Sequence, residues 1–322
     1  MVFSHAIIFF NPASTHAAAG RRRIGELKAI LGNDGVEVIE TESGGRKANA
    51  ALIKKHAYKL DENTLLGIVA GDGTTNQIIE ALLTGDIPAR SRKAVILPLW
   101  GGNANDLAHM LNGPAYRAKL KDILAKGQIV PIHALQCEMI AKDKSKKTRL
   151  AACYASFGVS GMVAHRINQS DHRKHPLHSI PGGRLLLEII TVLSTIVAAP
   201  PISLKDAGKA KVMYELSILN GSRMAKVERL PAKLNEELFY FNMFEDKKLL
   251  SALPRFINFA RKRVSQNLLR SYASFTTTEE SWAQFDGEPV KLTANTHVQV
   301  QLSREPFYAL STTMNNSDRK KS

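Results

Sequence analysis

The sequence predicts a parallel α/β domain followed by an antiparallel β-sandwich domain. Three patterns carry that expectation. Apolar runs of strand length without polar alternation stand at 6–10, 65–70 and 94–99, as strands covered on both faces require, and 36–40 reads as a further strand between the first two. Helical periodicity fills the intervals, through Ile24, Leu27, Ile30 and Leu31 and then over 48–58, 76–83 and 104–111; such alternation builds a parallel sheet with helices on both faces. From Ile129 the pattern changes, and 129–141, 150–159, 212–219, 238–244 and 271–278 read as strands joined by polar or basic turns, the pattern of antiparallel packing. The expected divisions are 1–130, 131–303 and a last segment, 304–322, free to return to the first domain and ending in a polar tail.

Two helices are expected within the second half. The pattern over 249–264 is amphipathic and bent at Pro254. Residues 183–199 are apolar on nearly every side, follow a histidine-rich basic segment at 171–175 and stop at Pro200-Pro201. They either close the core of the second domain or line an acyl-chain cleft at a bilayer surface.

Composition narrows the function. With 322 residues, 44% hydrophobic and 23% charged, the chain has the make-up of a soluble globular protein with room for two domains. Cys137 and Cys153 sit in apolar strand-like contexts without partners at metal spacing, and read as buried free thiols of a reducing compartment. The first ten residues lack the basic start and cleavage site of a secretory signal, and no apolar run reaches the roughly 20 residues of a membrane span. A net charge of +15 asks for an anionic partner. The basic groups at 21–23, 142–147, 173–174, 261–263 and 319–321 are not interleaved with aromatics as a single-strand binding platform would be. An anionic membrane surface is therefore the expected partner, and nucleic acid is not. The expected location is cytoplasmic with peripheral membrane association. The oligomeric state stays open, a homodimer included.

Candidate chemistry gathers at the ends of the predicted strands, where ligands collect in open α/β sheets. After the third strand, Gly71 and Gly73 bracket Asp72 where the backbone must turn sharply. Thr74 or Thr75 is expected to cap the next helix, whose free N–H groups point back at the turn. A carboxylate between glycines at a helix start suits phosphate and metal. Asn11-Pro12-Ala13-Ser14 opens the first helix, and Thr41 follows the second strand. The fourth strand runs into Trp100-Gly101-Gly102-Asn103-Ala104-Asn105-Asp106, whose backbone N–H groups suit phosphate or ribose. Near the C-terminus, Asp286-Gly287-Glu288 reads as a hairpin turn.

Ala70-Gly71-Asp72-Gly73-Thr74 resembles the GGDGT signature of the diacylglycerol kinase catalytic-domain family, which includes sphingosine, ceramide and bacterial lipid kinases. NAD kinases and phosphofructokinases carry a similar motif. The Asp286-Gly287-Glu288 turn goes with GDGT in lipid kinases and not in NAD kinases. The loop at 11–14 resembles the family's NPxSG, and 98–108 resembles PxGTxNDxA with Gly102, Asn105 and Asp106 in matching places. This chain departs in three ways. Trp100-Gly101 is an apparent insertion, Asn103 replaces the usual threonine, and Leu234-Asn235-Glu236-Glu237 stands where many bacterial members have Leu-Asn-Asp-Gly.

The resemblance spans nearly the whole chain in family order. It implies an NAD kinase-like first domain, an active site in the cleft between the two domains, and transfer of the γ-phosphoryl group of ATP, with Mg²⁺, to the hydroxyl of a diacylglycerol-like or sphingoid lipid. Nucleotide contacts fall to Asn11, Ser14, Thr41, Gly71, Gly73, Thr74, Gly102, Asn103, Asn105, Asp106 and Glu288. Metal contacts fall to Asp72, Glu288 and Glu236. Different branches of the family support Asp286 or Asp72 as the base; we take Asp286 as base and Asp72 as organiser of metal and phosphates. NAD kinase, or a non-catalytic nucleotide- or membrane-binding relative, are the alternatives.

Overall fold

The structure, a computed structural model, describes residues 3–41, 45–102, 104–117, 120–169, 202–206, 209–224, 227–228, 237–244 and 268–314, with single positions at 187, 190–191, 194–195 and 234. Its first part alternates β1 (His5–Phe10), α1 (Ala17–Leu31), β2 (Val36–Glu40), α2 (Arg46–His56), β3 (Thr64–Ala70), α3 (Asp72–Thr84), β4 (Val95–Trp100), α4 (Asp106–Asn112) and α5 (Leu120–Lys126). The strands pair in parallel in the order β2-β1-β3-β4. Alternate residues of β1 enter different cores. Ile7 and Phe9 join Ile53, Ile78 and Ile79 of α2 and α3, whereas Ala6, Ile8 and Phe10 join Ile24, Leu27 and Ile123 of α1 and α5. Both faces are covered, which is why β1 and β3 carry no polar alternation.

The next strand, β5 (Gln128–Ile132), still belongs to this sheet. There follow β6 (Leu135–Ile140), β7 (Lys146–Ala151), β8 (Tyr154–Gly158), α6 (Val159–Gln169), β9 (Ile202–Asp206), β10 (Lys209–Met213) and β11 (Glu215–Leu219). A two-residue pair, β12 (Arg223–Met224) and β13 (Val227–Glu228), precedes β14 (Phe239–Phe244), β15 (Leu268–Arg270), β16 (Tyr272–Thr277), β17 (Ser281–Phe285), β18 (Glu288–Leu292) and β19 (His297–Leu302). Twelve of these strands form two six-stranded antiparallel sheets, β10-β9-β16-β19-β6-β7 and β15-β14-β11-β8-β17-β18. Their inner faces share one core, in which Phe157 meets Phe275 and Phe285 edge-on at centroid distances of 4.9 and 6.1 Å, a favourable aromatic geometry. Finally β20 (Phe307–Ser311) inserts between β4, to which it is parallel, and β5, to which it is antiparallel.

Three stretches expected to be single strands are each two strands in different sheets. Residues 129–141 divide at His133-Ala134 into β5 and β6, and 212–219 divide at Tyr214 into β10 and β11. Residues 150–159 divide at Ala152-Cys153, whose N–H groups leave the ladder for the carboxylate of Asp286. An apolar run reports burial but not the bend by which a chain changes sheet. Helix α6, to which the sequence reasoning assigned no element beyond Val159, packs on β17. Gly161 allows this, because a Cβ there would fall 2.5 Å from the Trp282 carbonyl oxygen. The expected helix at 249–264 and the tail from 315 lie outside the described residues, as does most of 183–199. Among the described residues no helix is long and apolar enough to cross a membrane.

Candidate functional site

The strand order turns back between β1 and β3, and in open α/β sheets ligands bind outside the C-terminal ends of the strands at such a point. Asn11 follows β1 and is buried. Its N–H donates to Val69 O of β3 at 2.9 Å, its side-chain oxygen accepts the Ala13 N–H at 3.0 Å, and its carbonyl accepts the Ser14 hydroxyl at 2.8 Å. Asn11 and Ser14 therefore stiffen their own loop. Thr41 follows β2 and donates its N–H to Phe10 O at 2.8 Å. Its hydroxyl is buried without a hydrogen-bond partner among the described residues.

Helix α3 begins at Asp72, earlier than the periodicity suggests, with Gly71 as its N-cap. Neither Thr74 nor Thr75 caps it; both are buried inside the first turns, and the Thr75 hydroxyl donates back to Gly71 O at 3.0 Å. A carboxylate at the first helical position is itself favourable against the helix dipole. The Asp72 carboxylate also binds the start of the neighbouring helix, accepting the N–H groups of Asn105 and Asp106, each at 2.8 Å. Asn105 takes a left-handed φ of 53°, and its side chain accepts the Gly102 N–H at 3.1 Å. The N–H groups expected to meet phosphate or ribose at Gly102, Asn105 and Asp106 are thus already engaged within the turn. Those opening α3 carry no side-chain cap and are the better candidates.

Gly101 and Gly102 let two turns lie against each other. A Cβ on Gly101 would fall 2.5 Å from Ala70 N, and one on Gly102 only 2.2 Å from Gly71 Cα. The Trp100 ring meets His16 at a centroid distance of 5.0 Å and the Arg117 guanidinium at 5.5 Å.

The hairpin of β17 and β18 brings Asp286 to this place with φ of 48°, followed by Gly287 at 86°. Its carboxylate accepts the N–H groups of Ala152 (2.6 Å), Cys153 (3.1 Å) and Tyr154 (2.9 Å). Burial, reinforced by Asp106 and Asp286, pushes Asp72 up to about 8, its two backbone donors notwithstanding. Burial pushes Asp286 up to about 7 against the pull of its three donors. Asp106 is fully buried, with Arg223 Nε 3.5 Å from its carboxylate. Burial and the same three aspartates raise the Tyr154 phenol well above its ordinary value.

Glu288 folds over the turn: its Oε1 lies 2.5 Å from where a Cβ on Gly73 would stand. Its other oxygen is 3.9 Å from Arg46 Nη2. Asp72, Asp106, Asp286 and Glu288 are therefore brought together, with Gly71, Gly73, Thr74, Gly102 and Asn105 around them. Asn11, Ser14 and Thr41 stand at the adjacent strand ends, while Asn103 and Glu236 lie outside the described residues. Sequence reasoning missed Arg46, Glu80, Arg149 and Arg223. Arg46 Nη1 lies 2.5 Å and Arg149 Nη1 3.6 Å from Glu80 Oε1. Each pairs with a residue remote in sequence, so only a basic residue beside a motif loop or on an edge strand could have hinted at them. Burial, then the nearby Arg46, holds Arg149 below its usual value, and burial with both arginines does the same to Lys147. The basic run at 142–147 is thus not wholly a solvated surface.

Among the described residues no group of three or more His, Cys, Asp or Glu is arranged as a ready metal cage. Mg²⁺ needs only one or two carboxylates, with phosphate oxygens and water completing the shell. Buried, mutually repelling aspartates with hard oxygen donors suit that partial role. The fit is to a metal arriving with a polyphosphate, at Asp72 with the Glu288 carboxylate over the same turn.

The two raised aspartates make stability pH-dependent. In the folded chain they keep their protons to about 8 and about 7, against 3.8 for the ordinary group. The native state then binds more protons than the unfolded chain between those limits, so stability falls as pH rises through the window. Thermal melting in EDTA between about pH 5 and about pH 8 checks this: the midpoint drops, with a shallower slope in Asp72→Asn. Equal slopes would contradict the assignment.

These parts define a class, a parallel α/β domain with a glycine-bracketed aspartate, coupled to a β-sandwich that returns a second buried aspartate. Residues 5–137 match the family model of the diacylglycerol kinase catalytic domain, and the resemblance seen in the GDGT stretch is borne out over that span. A solved structure of a diacylglycerol kinase from Bacillus anthracis str. Sterne is similar with a TM-score of 0.66 at 16% identity, covering 98% of each chain. Two more from that organism, provisionally named diacylglycerol kinases, give TM-scores of 0.65 and 0.67, also at 16% identity; the first covers 98% of this chain and 99% of its own, the second 97% and 98%. At this identity the likeness is one of fold. No curated protein matches the chain.

Proposed function

We propose that the protein is an ATP-dependent lipid kinase that phosphorylates the hydroxyl of a diacylglycerol-like or sphingoid lipid, with its active site between the α/β domain and the sandwich. One observation carries the reading. Two buried aspartates, Asp72 and Asp286, are oriented by backbone N–H groups and titrate near neutrality beside an uncapped helix start.

Phosphoryl transfer asks mainly for positioning and charge stabilisation. The N–H groups opening α3 hold the nucleotide's phosphates. Asp72, together with the phosphates, would hold Mg²⁺, which supplies neutralisation of the charge on the transferring group. Asp286 accepts the proton of the lipid hydroxyl: its oxygens accept three N–H bonds, and a carboxylate has lone pairs beyond these. Its value of about 7 suits a base at physiological pH. Asp72 ties the start of α4 to the turn before α3 and so orients both loops. The net charge of +15 supports docking at an anionic membrane from the cytoplasm.

The test is transfer of labelled γ-phosphate from ATP, with Mg²⁺, to diacylglycerol, phosphatidylglycerol, sphingosine, ceramide and NAD in mixed micelles. Label in one lipid, rising with pH through about 7, supports the proposal. Label in NAD alone would sink it, and ATP binding without any transfer would leave a nucleotide-binding relative.

A further inference from the structure

Three cations beside the site have no part in the reaction as described. Arg46 is the first residue of α2, and Lys147 and Arg149 alternate along β7, so they project to one side of that strand. Glu80 of α3 meets both guanidiniums and accepts the Leu150 N–H at 3.1 Å. Arg46 also approaches Glu288, which covers Gly73 next to Asp72. The arginine side chains are mostly buried, 23% and 18% exposed. The buried Nε of Arg149 has no hydrogen-bond partner among the described residues.

An ion-pair network that served only to pin two domains would balance its charges, since an uncompensated buried cation is costly. Here three cations crowd two carboxylates, and one guanidinium N–H is unused. Forked guanidinium donors match phosphate oxygens. We propose that Arg46, Lys147 and Arg149 form a phosphate-binding cluster beside the Asp72–Asp286 site, with Glu80 occupying the arginines until an anion displaces it. Only the source of the phosphate, a nucleotide tail or a phosphorylated lipid headgroup, rests on the kinase reading.

Calorimetric titration of the full chain with tripolyphosphate, inorganic phosphate, ATP and AMP, and with vesicles of phosphatidic acid in phosphatidylcholine, tests this. Arg149→Gln should weaken phosphate binding by about tenfold. Glu80→Gln keeps an acceptor for Leu150 but removes the competing charge, so it should tighten binding. A loss confined to ATP and tripolyphosphate assigns the cluster to the nucleotide; a loss confined to phosphatidic acid assigns it to the lipid. If both variants melt at lower temperature and neither changes anion affinity, the cluster is a domain pin and the proposal is overturned. Arg149-dependent tripolyphosphate binding in a protein that transfers no label would keep the cluster and sink the kinase reading alone.

Discussion

Asp286→Asn is expected to lower lipid phosphorylation by roughly 10²–10⁴-fold, the usual contribution of a positioned base. The substitution has a structural side as well. Three N–H groups, from Ala152, Cys153 and Tyr154, point at the carboxylate. An amide offers one oxygen and turns its NH₂ toward donors, leaving at least one buried N–H unmatched at about 1–3 kcal/mol. Removal of a buried charge offsets part of that, so the variant should fold. Titration with ATP separates the two effects, because a lost base leaves nucleotide affinity within a few fold. The pH profile separates Asp286 from Asp72: the rise through about 7 should vanish in Asp286→Asn and survive at lower amplitude in Asp72→Asn. Wild-type turnover in Asp286→Asn would remove it as the base.

The second large effect is expected at Gly102→Ala. The added Cβ would stand 2.2 Å from Gly71 Cα and 3.0 Å from Gly71 N. Both are backbone atoms of the turn that holds Asp72, so no side chain can rotate away. The turns after β3 and β4 must separate, and Asp72 then loses its hold on Asn105 and Asp106. Overpacking of this kind costs about 1–3 kcal/mol or more, a drop of several degrees in melting temperature, and ATP affinity should fall at least about tenfold as the turns part. Gly71→Ala is the control: its Cβ would meet Gly102 Cα at 3.6 Å, ordinary contact, and its φ of −81° suits alanine. Scanning calorimetry and ATP titration of the pair decide the matter; equal behaviour would refute the packing argument.

Much of the first domain was legible because its signals are local. The strands at 6–10 and 65–70 are buried on both faces, so their side chains are apolar regardless of which strand lies beside them, whereas the edge strand at 36–40 keeps Val38 and Glu40 exposed. The Gly71-Asp72-Gly73 turn was legible for a similar reason, since a tight turn meeting a helix selects its residues within a few positions. The helix start was misplaced because Asp72, not a threonine, occupies the first helical position. In the second half, apolar runs such as 150–159 hid the breaks, because burial continues while the chain passes from one sheet to the other.

By itself the sequence determined the parallel α/β frame, the glycine-bracketed Asp72, the Asp286-Gly287-Glu288 hairpin and the net charge of +15. Each follows from short-range rules of periodicity, turn geometry and composition. Only the tertiary structure decided what those residues face: Asp286 against the N–H groups of Ala152 to Tyr154, Asp72 on the start of α4, and Arg46 with Arg149 on Glu80. These pairings join residues remote in sequence, and their energies come from burial and charge shared across domains, which no local pattern encodes.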